Sequence, residues 1–492
     1  MTPSAMPLVA VCVPAVGAVL VAASRSRPNL REAWTLLSAF LLLAIVSAML
    51  PATLAGEGLS TGVLELAPGI TLALEADAAG MLFAVSAAAL WVLTSFYSIG
   101  YVRTLAEHKQ TRYFASFALC LASTVGLALS ANLLTFFVFY ELLTIATYPL
   151  VVHKEGPEAL RAGRRYLGYL LTGGVALLLA LALAYSATGD VTFVPGGFLG
   201  GAMSSAEIAL VALLFGIGFG TKSAIMPLHA WLPSAMVAPT PVSALLHAVA
   251  VVKAGVFGFV RAIGYVIGPD ALADVGAGDA LAMLAALTIL VASATALVQD
   301  NLKRRLAFST IAHLSYIVLG LSIASATAWS GGILHIVNHA ALKITLFFAA
   351  GAIHIHLHLD RVSELDGIGR RMPVTMGAFA IASLGLAGLP PLGGFWSKWF
   401  LALGAVDAGQ WPYAVVLLTS GLLTAGYLFP IVYRAFFRAP AEDAPRTGEA
   451  TAFMAAPLAI TAAVSLLLGV GDVFGLGTLV TAVAEPVFGG GP

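Results

Sequence analysis

FGIGFGTKSAIMPLHAWLPSAMVAPTPVSALLHA (residues 215–248) and SLGLAGLPPLGGFWSKWFLALG (residues 383–404) are two apolar stretches that each set a lysine beside prolines. In the first, Pro227, Pro233, Pro239 and Pro241 follow Lys222; in the second, Pro390 and Pro391 precede Lys398. Proline removes a backbone donor and clashes with the preceding turn, so a helix running through either stretch breaks there. Unwound backbone at bilayer depth is tolerated only where protein buries it or where it lines a wet cavity. A pair of interrupted spans at matching positions points to inverted repeats with a path at their interface.

Around these two stretches the chain reads as a polytopic membrane protein. Of its 492 residues 60% are hydrophobic and only 10% charged, far from the quarter expected of a soluble domain. Cutting at charged, Pro-rich and Gly-rich punctuation leaves about fourteen runs long enough to cross the hydrocarbon core. The fold class expected is all-α, with two broken helices and two inverted five-helix repeats. The breaks fall five spans apart, and an odd repeat length inverts the second copy. The expected division is residues 1–110 for spans one to three, 111–268 for spans four to eight, 269–440 for spans nine to thirteen, and 441–492 for span fourteen and a tail. That tail, apolar but broken by glycines, is expected on the surface or in the interface.

The first run, Met6 to Ala23, has no basic segment before it, and Arg25, Arg27 and Arg31 follow it, so it reads as a retained span rather than a secretory signal. Basic residues recur after odd-numbered spans, as Arg103, Lys109 and Arg112, Lys154 to Arg165, Lys303 to Arg305, Arg361 to Arg371, and Arg434, Arg438 and Arg446. Acids such as Glu57, Asp77, Asp190 and Asp270 mark the other loops. The positive-inside rule then puts both termini outside a cell (inner) membrane.

Charge also stands inside the spans, at Glu141, Lys222, Lys253, Lys343 and Lys398. Each costs about 2.5 to 3.5 kcal/mol at the bilayer centre before any pairing, so the default reading is an ion or proton path. The net charge is zero, with 24 basic and 24 acidic residues, which argues against nucleic acid as a partner. Cys12 and Cys120 have no metal-ligand spacing and read as small core residues. GFGTKS around Lys222 lacks the Gly before Lys and the preceding strand of a phosphate loop.

His335, His339 and Lys343 are spaced i, i+4 and i+8 on one helix face, with about 6 Å of rise between neighbours. Histidine can accept and donate, so the row suits proton passage; the alternative is packing glue between helices. His247 and Lys253 share a span but not a face and should meet different neighbours. His229 either gates entry at the first break or satisfies its backbone. His354, His356 and His358 read as interfacial polar residues, since only His354 and His358 share a face and no cysteine joins them. No flavin, iron–sulfur or quinone motif is visible, and neither a cofactor nor a metal is expected.

Four longer runs carry a family resemblance: HAWLPSAMVAPTPVSALLHAVAVVKAG (229–255), QDNLKRRLAFSTIAHLS (299–315), HIVNHAALKITLFFAAGAI (335–353) and GLPPLGGFWSKWF (388–400). They resemble the antiporter-like membrane subunits shared by respiratory complex I, membrane-bound hydrogenases and Mrp-type multisubunit sodium/proton antiporters. The resemblance spans roughly residues 80–440. It implies that Glu141 pairs with Lys222, that Lys253 and Lys343 sit centrally, and that Lys398 leads outward. His313 stands where the family more often has glutamine or another small polar residue, which leaves its role open. Length and Lys398 resemble the D-type Mrp subunit most. The resemblance therefore implies a proton-translocating subunit of a monovalent cation/proton antiporter, exchanging Na+ or K+, with other membrane subunits as partners. The alternatives it leaves are a complex I-like quinone oxidoreductase, where the chain would belong to a redox translocase, a membrane-bound hydrogenase, or a bicarbonate-uptake complex.

Overall fold

Helices fill the apolar runs, and polar residues at the run boundaries start them. In the computed structural model, which describes residues 2–67, 70–440, 448–472 and 474–489, the chain opens with α1 (Met6–Ala23), α2 (Pro28–Leu54) and α3 (Ala78–Thr104). Arg446 lies outside the described residues. Next come α4 (Gln110–Ala128), α5 (Leu133–Val151), α6 (Pro157–Thr188) and α7 (Ser205–Lys222). Asp77 caps α3 and Asn132 caps α5, each accepting a backbone N–H at 2.8 Å, while Ser204 and Glu207 form a reciprocal cap on α7.

The first break falls where the prolines put it. α7 ends at Lys222; the chain turns, forms the short α8 (Trp231–Ser234), and re-enters as α9 (Thr240–Ala244). The Trp231 indole N–H donates to the Thr221 carbonyl at 2.8 Å, which ties the returning segment to the end of α7. The crossing Thr240–Ile267 is not uniform: π-helical turns at Leu245–Val249 and Ala262–Ile267 flank α10 (Val251–Arg261). Such widened turns had no signal in the sequence pattern and often occur at functional positions.

After α11 (Pro269–Asp274), the chain forms α12 (Ala277–Val298), α13 (Leu302–Ser322) and α14 (Ala326–Leu357). The second break separates α15 (Pro373–Ala387) from α16 (Gly393–Asp407), and α17 (Trp411–Phe437), α18 (Ala452–Leu467) and α19 (Leu476–Phe488) follow. Among the described residues, twelve helical runs are long and apolar enough to cross a membrane. The composite α15–α16 and the 16-residue α18 bring the crossings to the expected fourteen. α4 packs on α5 as α12 packs on α13, and α6 on α7 as α14 on α16, so neighbour relations repeat between the halves. The Thr240–Ile267 crossing and α13 are wholly enclosed by other helices, and α14 nearly so. The core therefore lies where the intramembrane lysines are.

Two features add to what was expected, and one expectation changes. β2 (Leu59–Ala67) pairs antiparallel with β3 (Ile70–Ala76) and parallel with β1 (Thr2–Pro3), so a small sheet covers one end of an otherwise helical protein. Its residues run through the acidic loop between α2 and α3, where acids masked the alternation. The tail forms a helix on the surface of the bundle: α19 turns Leu479, Val480, Val483 and Val487 inward, packs against α2, α3 and α14, and leaves its other side exposed. Cys12 is exposed on α1; only Cys120 is a core residue, 3.2 Å from the Thr147 hydroxyl.

Candidate functional site

Lys222 closes α7 and is fully enclosed. Its ammonium donates to the carbonyl of Tyr140 and lies 3.3 Å from the centre of the Tyr140 ring. The Tyr140 hydroxyl in turn donates to the Gly218 carbonyl at 2.8 Å, so this tyrosine holds α5 and α7 together at both its ends. Glu141, next to it on α5, makes no direct ion pair with Lys222; one carboxylate oxygen is buried without a hydrogen-bond partner, and the carboxylate rests against Gly174 of α6. The expected Glu141–Lys222 contact is therefore not formed, and Tyr140 takes the ammonium in its place.

Lys253 on α10 places its ammonium 3.0 Å from His339 Nδ1 on α14, and a cavity of about 10 Å³ beside it, reaching Ser86 and Ala340, has room for about one water. His313 Nδ1 lies 3.2 Å from His335 Nε2, and His335 Nδ1 lies 2.8 Å from the Ser397 hydroxyl on α16. All three histidines are fully buried. Donor roles follow from the ends of these lines. With Lys253 as an ammonium, which can only donate, and the histidines neutral, His339 Nδ1 accepts and its proton sits on Nε2, which has no partner among the described residues. Ser397 donates to the Gly394 carbonyl at 3.3 Å, so it accepts from His335, which accepts from His313. This leaves His313 Nε2 as a buried acceptor without a partner. The rings of His313 and His339 stand 5.7 Å apart, one offering a free N–H and the other a free lone pair. Two hydrogen-bonded segments thus face each other across one gap.

The histidine row behaves differently from its spacing. His335 and His339 have ring centres 5.9 Å apart, close to the helix rise, but Lys343 turns away from them. Its ammonium donates to the Ser309 hydroxyl at 2.7 Å and the Leu306 carbonyl at 3.2 Å on α13. Ser309 meets the Tyr427 hydroxyl at 2.7 Å, and Tyr427 donates to Thr424 at 3.1 Å on α17. A hydroxyl line therefore leads from Lys343 toward α17, separate from the histidine line toward α16. Lys398 donates to the carbonyls of Leu386 and Ala387 at 2.7 and 3.1 Å, and its ammonium lies 5.1 Å from the Tyr316 ring, which stacks on His313 at 4.9 Å.

The remaining candidates are placed as follows. His247 and Lys253 meet different side chains of the same helix, α14: the His247 ring packs 4.6 Å from Phe347, and Lys253 meets His339. Both His247 nitrogens are buried without a partner. His229 is half-buried at the first break, 6.3 Å from Phe308. His354 Nδ1 meets Asp360 at 2.9 Å and His358 caps the end of α14, an interfacial arrangement. The sequence reading missed Tyr140, Ser309, Tyr316, Ser397 and Tyr427. It also missed Arg261, which is buried at the end of α10, paired with Asp77 through both guanidinium nitrogens at 2.5 and 2.8 Å and ringed by Phe193, Phe257 and Tyr265.

Residues 130–424 match the family described as NADH:quinone oxidoreductase/Mrp antiporter, TM. The chain is 35% identical over 373 residues to NADH-quinone oxidoreductase subunit N of Desulforudis audaxviator, covering 75% of this chain and 73% of that one. It is 33% identical over 412 residues to a probable K(+)/H(+) antiporter component of Rhizobium meliloti, covering 82% of this chain but 40% of the longer relative. A chain in the structure of the Mrp complex from Dietzia sp. DQ12-45-1b superposes with a TM-score of 0.84 over 98% of this chain and 97% of that one, at 23% identity, a likeness of fold.

Proposed function

We propose that this chain, which belongs to the NADH:quinone oxidoreductase/Mrp antiporter transmembrane family, conducts protons across the bilayer as one membrane component of an Mrp-type monovalent cation/proton antiporter. The observation that carries proton conduction is the enclosed line from Lys253 through His339, across one gap, to His313, His335 and Ser397. Histidine is the side chain whose ordinary titration lies nearest neutrality, and lysine changes charge readily when buried. Protons enter at the break after Lys222, with Glu141 modulating the lysine charge; they pass Lys253 and the histidines and leave past Lys398. Lys343 and its hydroxyl line form a side branch that sets the charge in the middle of the molecule. The division into residues 111–268 and 269–440 as inverted repeats then puts one lysine-bearing break in each half.

A second reading has its own support. The relative named as an NADH-quinone oxidoreductase subunit N matches over about three quarters of both chains, which favours a redox-driven parent complex. Vesicles holding the purified native complex separate the two. Cation/proton exchange driven by an imposed ion gradient, with no electron donor, is expected for the antiporter; proton flux only on adding a donor and quinone supports the second reading. Proton conduction itself is tested with Lys253→Met and Lys253→Arg. Both should assemble and neither should pump, because methionine holds no proton and arginine does not release one. Wild-type flux in Lys253→Arg would remove this lysine from the path.

A further inference from the structure

At the end of the bundle that carries the basic loops, far along α5 from Glu141, a second group of ligating side chains gathers outside the proton line. Glu107 and His108 lie in the turn between α3 and α4, and His153 lies just past the end of α5. Glu107 Oε2 is 3.7 Å from His153 Nε2 and 3.8 Å from His108 Nδ1, and one ligand atom from each residue falls within 4.8 Å of the others. The imidazoles stack with centres 4.9 Å apart. Ala106 and Lys109, on either side of Glu107 and His108, both adopt left-handed backbone, which side chains with a Cβ rarely take, and this turns the two ligating residues toward the end of α5.

His153 makes packing alone a poor account. Its side chain is fully buried, yet neither ring nitrogen has a hydrogen-bond partner, and 3.7 Å from Glu107 is too long for one. A buried imidazole with both nitrogens unsatisfied, stacked on a second imidazole and facing a carboxylate, is short of an electron-pair acceptor. Two nearby cations, Lys109 and Arg112, are turned onto Glu155, and Arg112 donates onward to the His153 carbonyl at 3.2 Å, so these two do not fill the space between the three ligands.

We propose that Glu107, His108 and His153 form a binding site for a divalent transition-metal cation of the zinc class, which pins the α3–α4 turn to the end of α5. Two imidazoles and one carboxylate are a zinc donor set with a fourth position left for water, and tetrahedral ligands with bonds near 2.0 Å sit about 3.3 Å apart, so small side-chain rotations close the site. His108, exposed at the surface, gives the ion its way in.

The test uses the full chain in detergent, purified with a tag that contains no histidine, stripped with chelator and titrated with Zn2+ against a fluorescent competitor. Co2+ is titrated in parallel to read the coordination geometry from its visible absorption. One equivalent should bind, and Glu107→Gln and His108→Ala should each weaken it by roughly tenfold or more, at least the loss seen when mere supporting groups are removed. His108 is exposed, so His108→Ala keeps the fold even if a His153 variant does not. His358→Ala, at an exposed histidine at the end of α14, should bind as the wild type does. Unchanged affinity in His108→Ala and Glu107→Gln, or an equal loss in His358→Ala, means an adventitious ion only and overturns the site.

Discussion

The Glu141 carboxylate meets a glycine where a cation was expected. Lys222 instead grips Tyr140, the residue before it, by carbonyl and ring, so the two charges are not locked in a contact pair. Gly174 makes this possible, since a Cβ there would run into both carboxylate oxygens and the carbon between them. Gly174→Ala should therefore displace the Glu141 carboxylate at little cost in stability, because the end of a flexible side chain gives way, and cut proton flux several-fold. Gly168→Ala, on the same helix with open space at the site, should leave flux unchanged. Flux in vesicles at matched protein, with a thermal melt on each variant, reads both; indistinguishable rates for the two would end the argument. At this scale the sequence showed charges well, because a lysine or glutamate in an apolar run carries an insertion penalty that few other causes explain. It showed hydroxyls poorly. Ser309, Ser397 and Tyr427 cost little in a span and acquire meaning only through what lies across from them. Lys343 shows the limit of periodicity: i, i+4 and i+8 fix a face, but the Ser309 hydroxyl on α13 was a nearer partner than the histidines.

Among elements, the broken crossing α15–α16 shows how a half-helix ends inside a membrane. The last carbonyls of α15 have no intrahelical donors, and Lys398 supplies an ammonium to two of them where the helix dipole favours a cation. Lys398 therefore has a structural duty that Lys253, which meets only His339, does not. Lys398→Met should lose about 1 to 3 kcal/mol of stability through the buried carbonyls left without a donor, while Lys253→Met melts near wild type. Lys398→Arg should restore most of that stability, since a guanidinium reaches the same carbonyls. Unfolding of the purified protein, followed by a thiol-reactive dye at Cys120, measures this; a Lys398→Met variant as stable as wild type would contradict the cap. The prolines made both breaks readable, because no helix continues through them. The π turns flanking α10 were not readable, since a widened turn keeps the same apolar composition as a regular one. α19 was missed for a related reason: Gly475 and Gly477 at its start and Gly489 past its end read as breaks, and what holds it is the surface of α3 and α14.

Over the whole molecule, the two ends of the bundle differ in charge and in how that charge is held. At one end Glu32 pairs with Arg103, Asp366 with Arg434 at 2.7 Å, and Glu155 with Lys109 and Arg112, whose ammonium and guanidinium hold its carboxyl down at about 2. These three acids are neutralised in place, which leaves the other Lys and Arg of those loops to weigh more in the field. At the other end stand the small sheet, Asp190, Glu207 and Asp270, and the buried cation Arg261 is consumed by Asp77. We propose from the positive-inside rule that the first end faces the cytoplasm; an even number of crossings would then put both described termini on the opposite side. Two single cysteines in a background lacking Cys12 test this: Glu158→Cys beside the basic end and Gly201→Cys, in the loop before α7, at the other. Both positions are exposed, and Gly201 has open space for a side chain. A membrane-impermeant maleimide added to intact cells should label Gly201→Cys and spare Glu158→Cys until the membrane is opened. The reverse pattern would invert the protein. Lys398 and its half-helix would then face entry rather than exit, and the zinc-class site at the end of α5 would meet the metal ions of the exterior instead of those of the cytoplasm.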